Sequence, residues 1–173
     1  MTEWFDAPKG DAPVVVAADA AWPEAARCWI ARVSEALAPL EARVEHVGST
    51  AVAGLPAKPV IDLQVAVPSL EDEATYRPAL EALGLVLRAR APDHRFFRPP
   101  ATEPRTVHLH VCARGSEWER EHLRFRDLLR GDPALRVEYA RLKRTLAASA
   151  AGDRSRYADG KAAFIERALT EQR

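Results

Sequence analysis

Between Pro59 and Pro68 the chain runs Val-Ile-Asp-Leu-Gln-Val-Ala-Val, apolar except for Asp62 and Gln64. Near-continuous apolar sequence of this length suits a central strand covered on both faces. Strand side chains alternate, so Asp62 and Gln64 share one face while Ile61, Leu63 and Val65 take the other. An ionised Asp in such a strand is costly unless it is paired or bound to a metal. Two readings satisfy that cost: a structural ion pair, or a side chain facing a ligand or metal.

The flanking sequence supplies the rest of an α+β (mixed α/β) domain. Residues 1–13 are polar and contain Pro, which predicts a loosely held arm before a domain over 14–173, with Val14–Val16 able to begin an edge strand. Trp22, Ala26, Trp29, Ile30, Val33, Leu37 and Leu40 form one helical stripe, with Asp19 and Pro23 as start signals. Arg43–Val47 reads as a strand that stops at Gly48-Ser49-Thr50. Ser69 with Asp72 resembles a capping box that opens a helix to about Leu83, closed by Gly84. Strands are expected at Leu85–Arg90, His94–Arg98 and Thr106–Cys112. Three helices close the chain, announced by Ser116 with Glu119, by Asp132-Pro133, and by Gly152-Asp153.

Charge and cysteine content narrow the function classes. Lys plus Arg equals Asp plus Glu at 25 each, so the net field gives no reason to expect nucleic-acid or membrane binding. Cys28 and Cys112 lie far apart in apolar stretches, without the spacing of a zinc site, and read as core thiols. The start lacks a signal-peptide pattern, and the apolar runs fall short of the roughly 20 residues needed to span a bilayer. A cytoplasmic location is expected.

Three segments depart from what a plain core needs. In the first, Gly48-Ser49-Thr50 ends a strand, where backbone N–H groups and hydroxyls can cradle an anion and Lys58 can add charge. An ordinary capped strand-to-helix turn reads the same way. Lys58 is too far from the glycines for a P-loop. The second is Asp62 with Gln64. The third is Thr106-Val-His-Leu-His-Val, where His108 and His110 share a strand face about 7 Å apart. Such a pair can bind a metal, relay a proton, contact phosphate, or simply bond its neighbours. Arg88, Arg90, Arg95, Arg98, Arg105 and Arg114 cluster nearby in sequence and suit either phosphate recognition or solvation of exposed strands. On the later helices Arg126, Lys143, Tyr157 and Lys161 are the polar candidates, the last two one turn apart.

Taken together, HVGSTAVAGLPAKPVIDLQVAV from His46 to Val67, VHLHV from Val107, FRDLLR from Phe125, YARLK from Tyr139 and YADGKAAFI from Tyr157 resemble the GrpB family over nearly the whole chain. The resemblance implies the nucleotidyltransferase-like fold of the polymerase-β type. In that fold a strand-end Gly-Ser holds nucleotide phosphates, and carboxylates on two strands hold two Mg²⁺ ions. Gly48 and Ser49 match the Gly-Ser element and Asp62 matches the first carboxylate. Gln64 stands at the second carboxylate position, and His108 and His110 stand on the strand expected to carry the third.

The expectation is a divergent nucleotidyltransferase acting on a small molecule, with the phosphate of a nucleotide, or of another phosphorylated small molecule, held by the Gly48-Ser49 turn. Asp62, His108 and His110 would do the chemistry, and Asp62 with His110 would hold Mg²⁺ or a transition metal. His46, Gly48, Ser49, Thr50, Lys58, Gln64, Arg98, Arg126, Lys143, Tyr157 and Lys161 would contact substrate or phosphate. A noncatalytic nucleotide- or anion-binding module, or an Asp/His enzyme of another class, are the alternatives. A relative fused to dephospho-coenzyme A kinase hints at nucleotide or coenzyme chemistry.

Overall fold

The computed structural model describes residues 2–5, 14–149 and 154–171. Among them, five α-helices accompany a six-stranded mixed sheet. The strands are β1 (Glu3–Trp4), β2 (Arg43–Val47), β3 (Ile61–Val67), β4 (Val86–Arg90), β5 (His94–Arg98) and β6 (Val107–Ala113). Their order across the sheet is β1-β4-β5-β6-β3-β2. The apolar run lies where its composition predicts, with β6 parallel on one side and β2 antiparallel on the other.

Alternation along β3 sorts the molecule into two halves. Ile61, Leu63, Val65 and Val67 face α1 (Trp22–Ala36) and α2 (Arg77–Ala82), in a core shared with Val33, Leu37, Leu80, Phe97, Leu109 and Val111. The other face looks toward α3 (Glu117–Gly131), α4 (Pro133–Ser149) and α5 (Arg154–Glu171). Those helices have their own core, where Leu129, Tyr139, Ala140, Phe164 and Ala168 enclose Val52 and Leu55. That second core fixes the loop after Gly48 against the helices, so the strand-end turn is held from both sides.

The start and stop signals succeed unevenly. Ser116 Oγ accepts the Glu119 N–H at 3.2 Å. The Glu119 carboxylate reaches back to the Gly115 N–H and to Arg43, one residue earlier than a standard capping box. Asp132 Oδ1 accepts from the amides of Ala134 and Leu135, as a cap should. The Ser69/Asp72 box does not form. A 3₁₀ turn at Glu73–Thr75 intervenes, and α2 begins only after Tyr76, where Pro78 sits in the first turn. Helix α1 ends at Ala36 rather than near Leu40, because Pro39 cannot continue the ladder and the chain passes into a 3₁₀ turn at Ala38–Leu40.

Two further expectations are corrected. Glu3–Trp4, assigned to a loose arm, pairs with Arg90 and Ala89 as an edge strand, and Trp4 packs edge-on against Phe96. Cys112 is a core thiol, but Cys28 is exposed because it lies off the apolar stripe of α1. Val16 makes one isolated bridge to Ala57. Residues 6–13 and the Gly152-Asp153 start of the last helix lie outside the described residues.

Candidate phosphate and acid–base site

The site is built on adjacent strand ends. In the parallel β3–β6 register Asp62 stands beside His108 and Gln64 beside His110, so alternation places all four on the face of the C-terminal helices. His108 Nδ1 lies 3.2 Å from Asp62 Oδ1. Desolvation would raise the Asp62 pKa, but the His108 hydrogen bond and the fields of His108, His110 and Lys161 outweigh it and hold the carboxyl below its ordinary range. An ionised Asp62 accepts a hydrogen bond from the Nδ1–H of His108.

Strand β2 ends directly over this carboxylate. Gly48 has φ 70° and ψ −168°, a conformation essentially restricted to glycine. A Cβ there would also lie 2.6 Å from Asp62 Oδ2, so glycine is needed both for the backbone turn and for the close approach. The chain then turns through Ser49–Ala51. Ser49 Oγ accepts from Lys143 Nζ at 3.0 Å and hydrogen-bonds the Tyr139 hydroxyl. Lys143 donates as well to the Pro56 carbonyl and lies over the Tyr139 ring.

Two lysines from different helices therefore converge here. Lys143 on α4 is buried, and desolvation, with repulsion from Lys161 and Arg144, brings its ammonium down to about 7. Lys161 on α5 is also lowered by desolvation, against the attraction of Asp62, and its Nζ sits 4.6 Å from the centre of the Tyr157 ring. Tyr157 is buried beneath it. A suppressed lysine next to a hydroxyl and a carboxylate is a group that an incoming anion would recharge.

The other expected residues are placed differently. His46 pairs with Leu63 in the β2–β3 register, so it belongs to the opposite face from Asp62. Its ring meets Thr50 Oγ1 at 2.9 Å, and Thr50 donates to the Val60 carbonyl at 3.2 Å. Burial, helped by Arg130 and Arg126, brings His46 down to about 4, so it is neutral and fastens the turn. Arg126 binds Glu45, Asp127 and the His46 carbonyl. Arg98 is buried on the His108 side of β5 and donates to the Pro99 carbonyl. Lys58 is partly exposed.

The arginine cluster is not a phosphate site as a whole. Arg90 and Arg95 converge on Glu73, with Arg95 also reaching Glu71, on the face away from Asp62. Arg114 donates to the Glu41 carbonyl.

Sequence reasoning missed several contributors. Tyr139 reaches Ser49, and Arg130 clamps the Ala51 carbonyl at 2.9 and 3.0 Å. Phe96, Trp118, His94 and His122 form rings around His110. Tyr139 and Arg130 lie on helical motifs whose spacing already put them near other polar candidates. The rings had no local signal, because they come from two elements, β5 and α3, and meet His110 on a third.

The donor set fits two Mg²⁺ ions poorly. That arrangement needs several hard oxygen ligands, and here Asp62 stands with a neutral Gln64 and two imidazoles. Among the described residues no three His, Cys, Asp or Glu side chains gather as a metal-holding group. No described helix is long and apolar enough to cross a membrane.

Comparison with known proteins agrees with the fold and names a family. The GrpB protein family matches residues 12–171. A UPF0157 protein of Halalkalibacterium halodurans is 41% identical over 151 residues, covering 86% of this chain and 76% of its own length. The crystal structure of conserved protein GrpB from Enterococcus faecalis superposes with a TM-score of 0.77 at 28% identity, covering 92% of this chain and 99% of that one. The structure of Cid1 in complex with its short product ApU superposes at 0.52 and 16% identity, covering 75% and 42%, which shows a common fold. A dephospho-CoA kinase of Mycobacterium leprae is 30% identical over 180 residues, covering 87% of this chain but only 44% of that protein.

Proposed function

The chain belongs to the GrpB family, and from that footing we propose that it binds a nucleotide or similar phosphorylated small molecule at the Gly48–Ser49 turn and transfers the nucleotidyl group to a small acceptor. One observation carries the reading. The Asp62 carboxylate lies against Gly48 on one side and is hydrogen-bonded to His108 on the other, so a single group links the phosphate turn to a base.

The residues divide the work as follows. Amides and hydroxyl of the Gly48–Ser49 turn hold a phosphate, and Lys143 and Lys161 neutralise it. Asp62 orients His108, whose Nε2 takes the proton from an acceptor hydroxyl or amine. With a nucleoside triphosphate as donor, the acceptor atom forms a bond to the α-phosphorus as the bond to the leaving pyrophosphate breaks, and the lysines offset the charge on that leaving group. The donor set does not suit two Mg²⁺ ions, and the charge on phosphate is met by the lysines. The similarity to a protein named dephospho-CoA kinase supports a nucleotide- or coenzyme-type ligand.

Gln64 in place of a second carboxylate favours a second reading, a binding module without turnover. Calorimetry of ATP, GTP, CTP and UTP with wild type and Asp62→Asn, in Mg²⁺ and in EDTA, combined with pyrophosphate release, separates the two. The catalytic reading expects saturable binding and a turnover loss of about 10²–10⁴-fold in Asp62→Asn with the fold intact. Tight binding with no product under any condition supports the module, and no nucleotide binding at all overturns both.

A further inference from the structure

The rings on the β5 side of Asp62 and His108 have no part in the phosphate reading. Phe96 stands opposite His110 in the β5–β6 register, and the two rings stack at 5.0 Å and 24°. Phe96 also meets His108 edge-on at 5.1 Å. Trp118, in the first turn of α3, stacks on His94 at 5.1 Å and lies 5.5 Å from His110. All four of Phe96, His94, His110 and Trp118 are partly exposed, so solvent reaches the edge of the layer, and His122 stacks on Trp118 at 3.6 Å.

Beside His110, on the strand away from Phe96, lies an unmet polar group. Gln64, beside His110 in the β3–β6 register, is only 1% exposed, and its Oε1 has no hydrogen-bond partner among the described residues. The buried His110 Nδ1 has none either. Buried polar atoms are almost always paired, so an orphaned amide oxygen calls for a donor from outside the chain. The strand order puts this ring layer on one side of the Asp62–His108 pair and the Gly48–Ser49 turn on the other.

We infer that the ring layer is a second compartment for the acceptor: a flat heteroaromatic molecule bearing a hydroxyl or amine, stacked on Trp118 and Phe96, with an N–H aimed at Gln64. Stacking on aromatic planes tolerates any flat ring, while the buried amide oxygen selects one that carries a donor. A ring so held presents its hydroxyl or amine toward His108. The inference rests on the transferase reading for its chemistry, but its binding test is separate.

The test is binding of adenosine and pyridoxine, with ribose and cyclohexanol as non-aromatic controls and inorganic pyrophosphate as the probe of the phosphate turn. Binding is read by ring-current shifts of the His and Trp resonances in NMR. The aromatic probes are expected to saturate with shifts at Trp118 and His110. Their affinity should fall about tenfold or more in Trp118→Ala, recover in Trp118→Phe, and hold in Ser49→Ala. Pyrophosphate should show the reverse pattern, weakened by Ser49→Ala and indifferent to Trp118. A thermal melt identifies any variant that fails to fold, and Phe96→Leu then serves in place of Trp118→Ala. Aromatic probes that fail to bind, or that bind no better than the controls, overturn the second compartment even if pyrophosphate binds. Aromatic binding without pyrophosphate binding keeps the compartment and overturns the phosphate turn.

Discussion

On one face of β3, Leu63 and its apolar neighbours are closed off by α1 and α2, with Leu63 at 0% exposure. On the opposite face, one residue away, Asp62 keeps 30% of its side chain exposed between the Gly48–Ser49 turn and an imidazole. The two faces share every backbone hydrogen bond of the strand, yet they answer to different physics. The first gains from excluding water and filling volume. The second tolerates a carboxylate because His108 and Lys161 compensate it, and because β2 ends in a glycine that leaves room. A strand covered on both faces can thus hold its shape from one side and present a paired carboxylate on the other.

The largest effect should come from breaking the closed face. Leu63→Ala is expected to cost about 2–5 kcal/mol by urea unfolding, while leaving the pyrophosphate affinity of the folded protein unchanged. An equal loss of affinity would mean that the faces are not separable. Gly48→Ala attacks the open face. It is expected to cost about 1–3 kcal/mol, from the glycine-only backbone angles, and to abolish pyrophosphate binding by pushing the Asp62 carboxylate aside. Retained binding in that variant would remove the turn from the site.

The pH response sharpens the comparison further. Lys143 titrates at about 7 in the folded protein against an ordinary 10.5. Between those values the unfolded chain holds a proton that the folded chain has released, so this group's contribution to stability rises with pH across that window. Anion binding runs the other way, because it needs the ammonium. Affinity for pyrophosphate should fall by up to about tenfold per pH unit above 7, with proton uptake seen by calorimetry in buffers of different ionisation enthalpy. Lys143→Met should flatten that dependence, and an unflattened profile would remove Lys143 from the anion site. The smallest effect is local to α3: Ser116→Ala removes one cap and is expected to cost about 1 kcal/mol in thermal unfolding, with no change in ligand affinity.

Much of the fold was legible because its signals are local. The alternation along Val107–Ala113 and the run before Pro68 gave strand boundaries to within a residue, and the caps at Ser116 and Asp132 marked two helix starts. The Ser69/Asp72 box misled because a three-residue spacing is not enough when a 3₁₀ turn and Pro78 reset the start. Within the site, Gly48, Ser49, Asp62, His108, Lys143 and Lys161 were named from sequence and are brought together. His46 and Thr50 were named too, and they turn out to hold the loop in place rather than face Asp62.

By itself the sequence determined which side chains share a face of each strand, because alternation is a property of the backbone pleat and needs no partner. It also determined where glycine permits a sharp turn. Only the tertiary structure decided that β6 lies parallel to β3, so that His108 meets Asp62, and that α4 and α5 bring Lys143 and Lys161 to the same turn. Those meetings join residues far apart in the chain, as Ser49 and Lys143 are at 94 positions. Contacts at that separation come from the packing of whole elements, which no local pattern encodes.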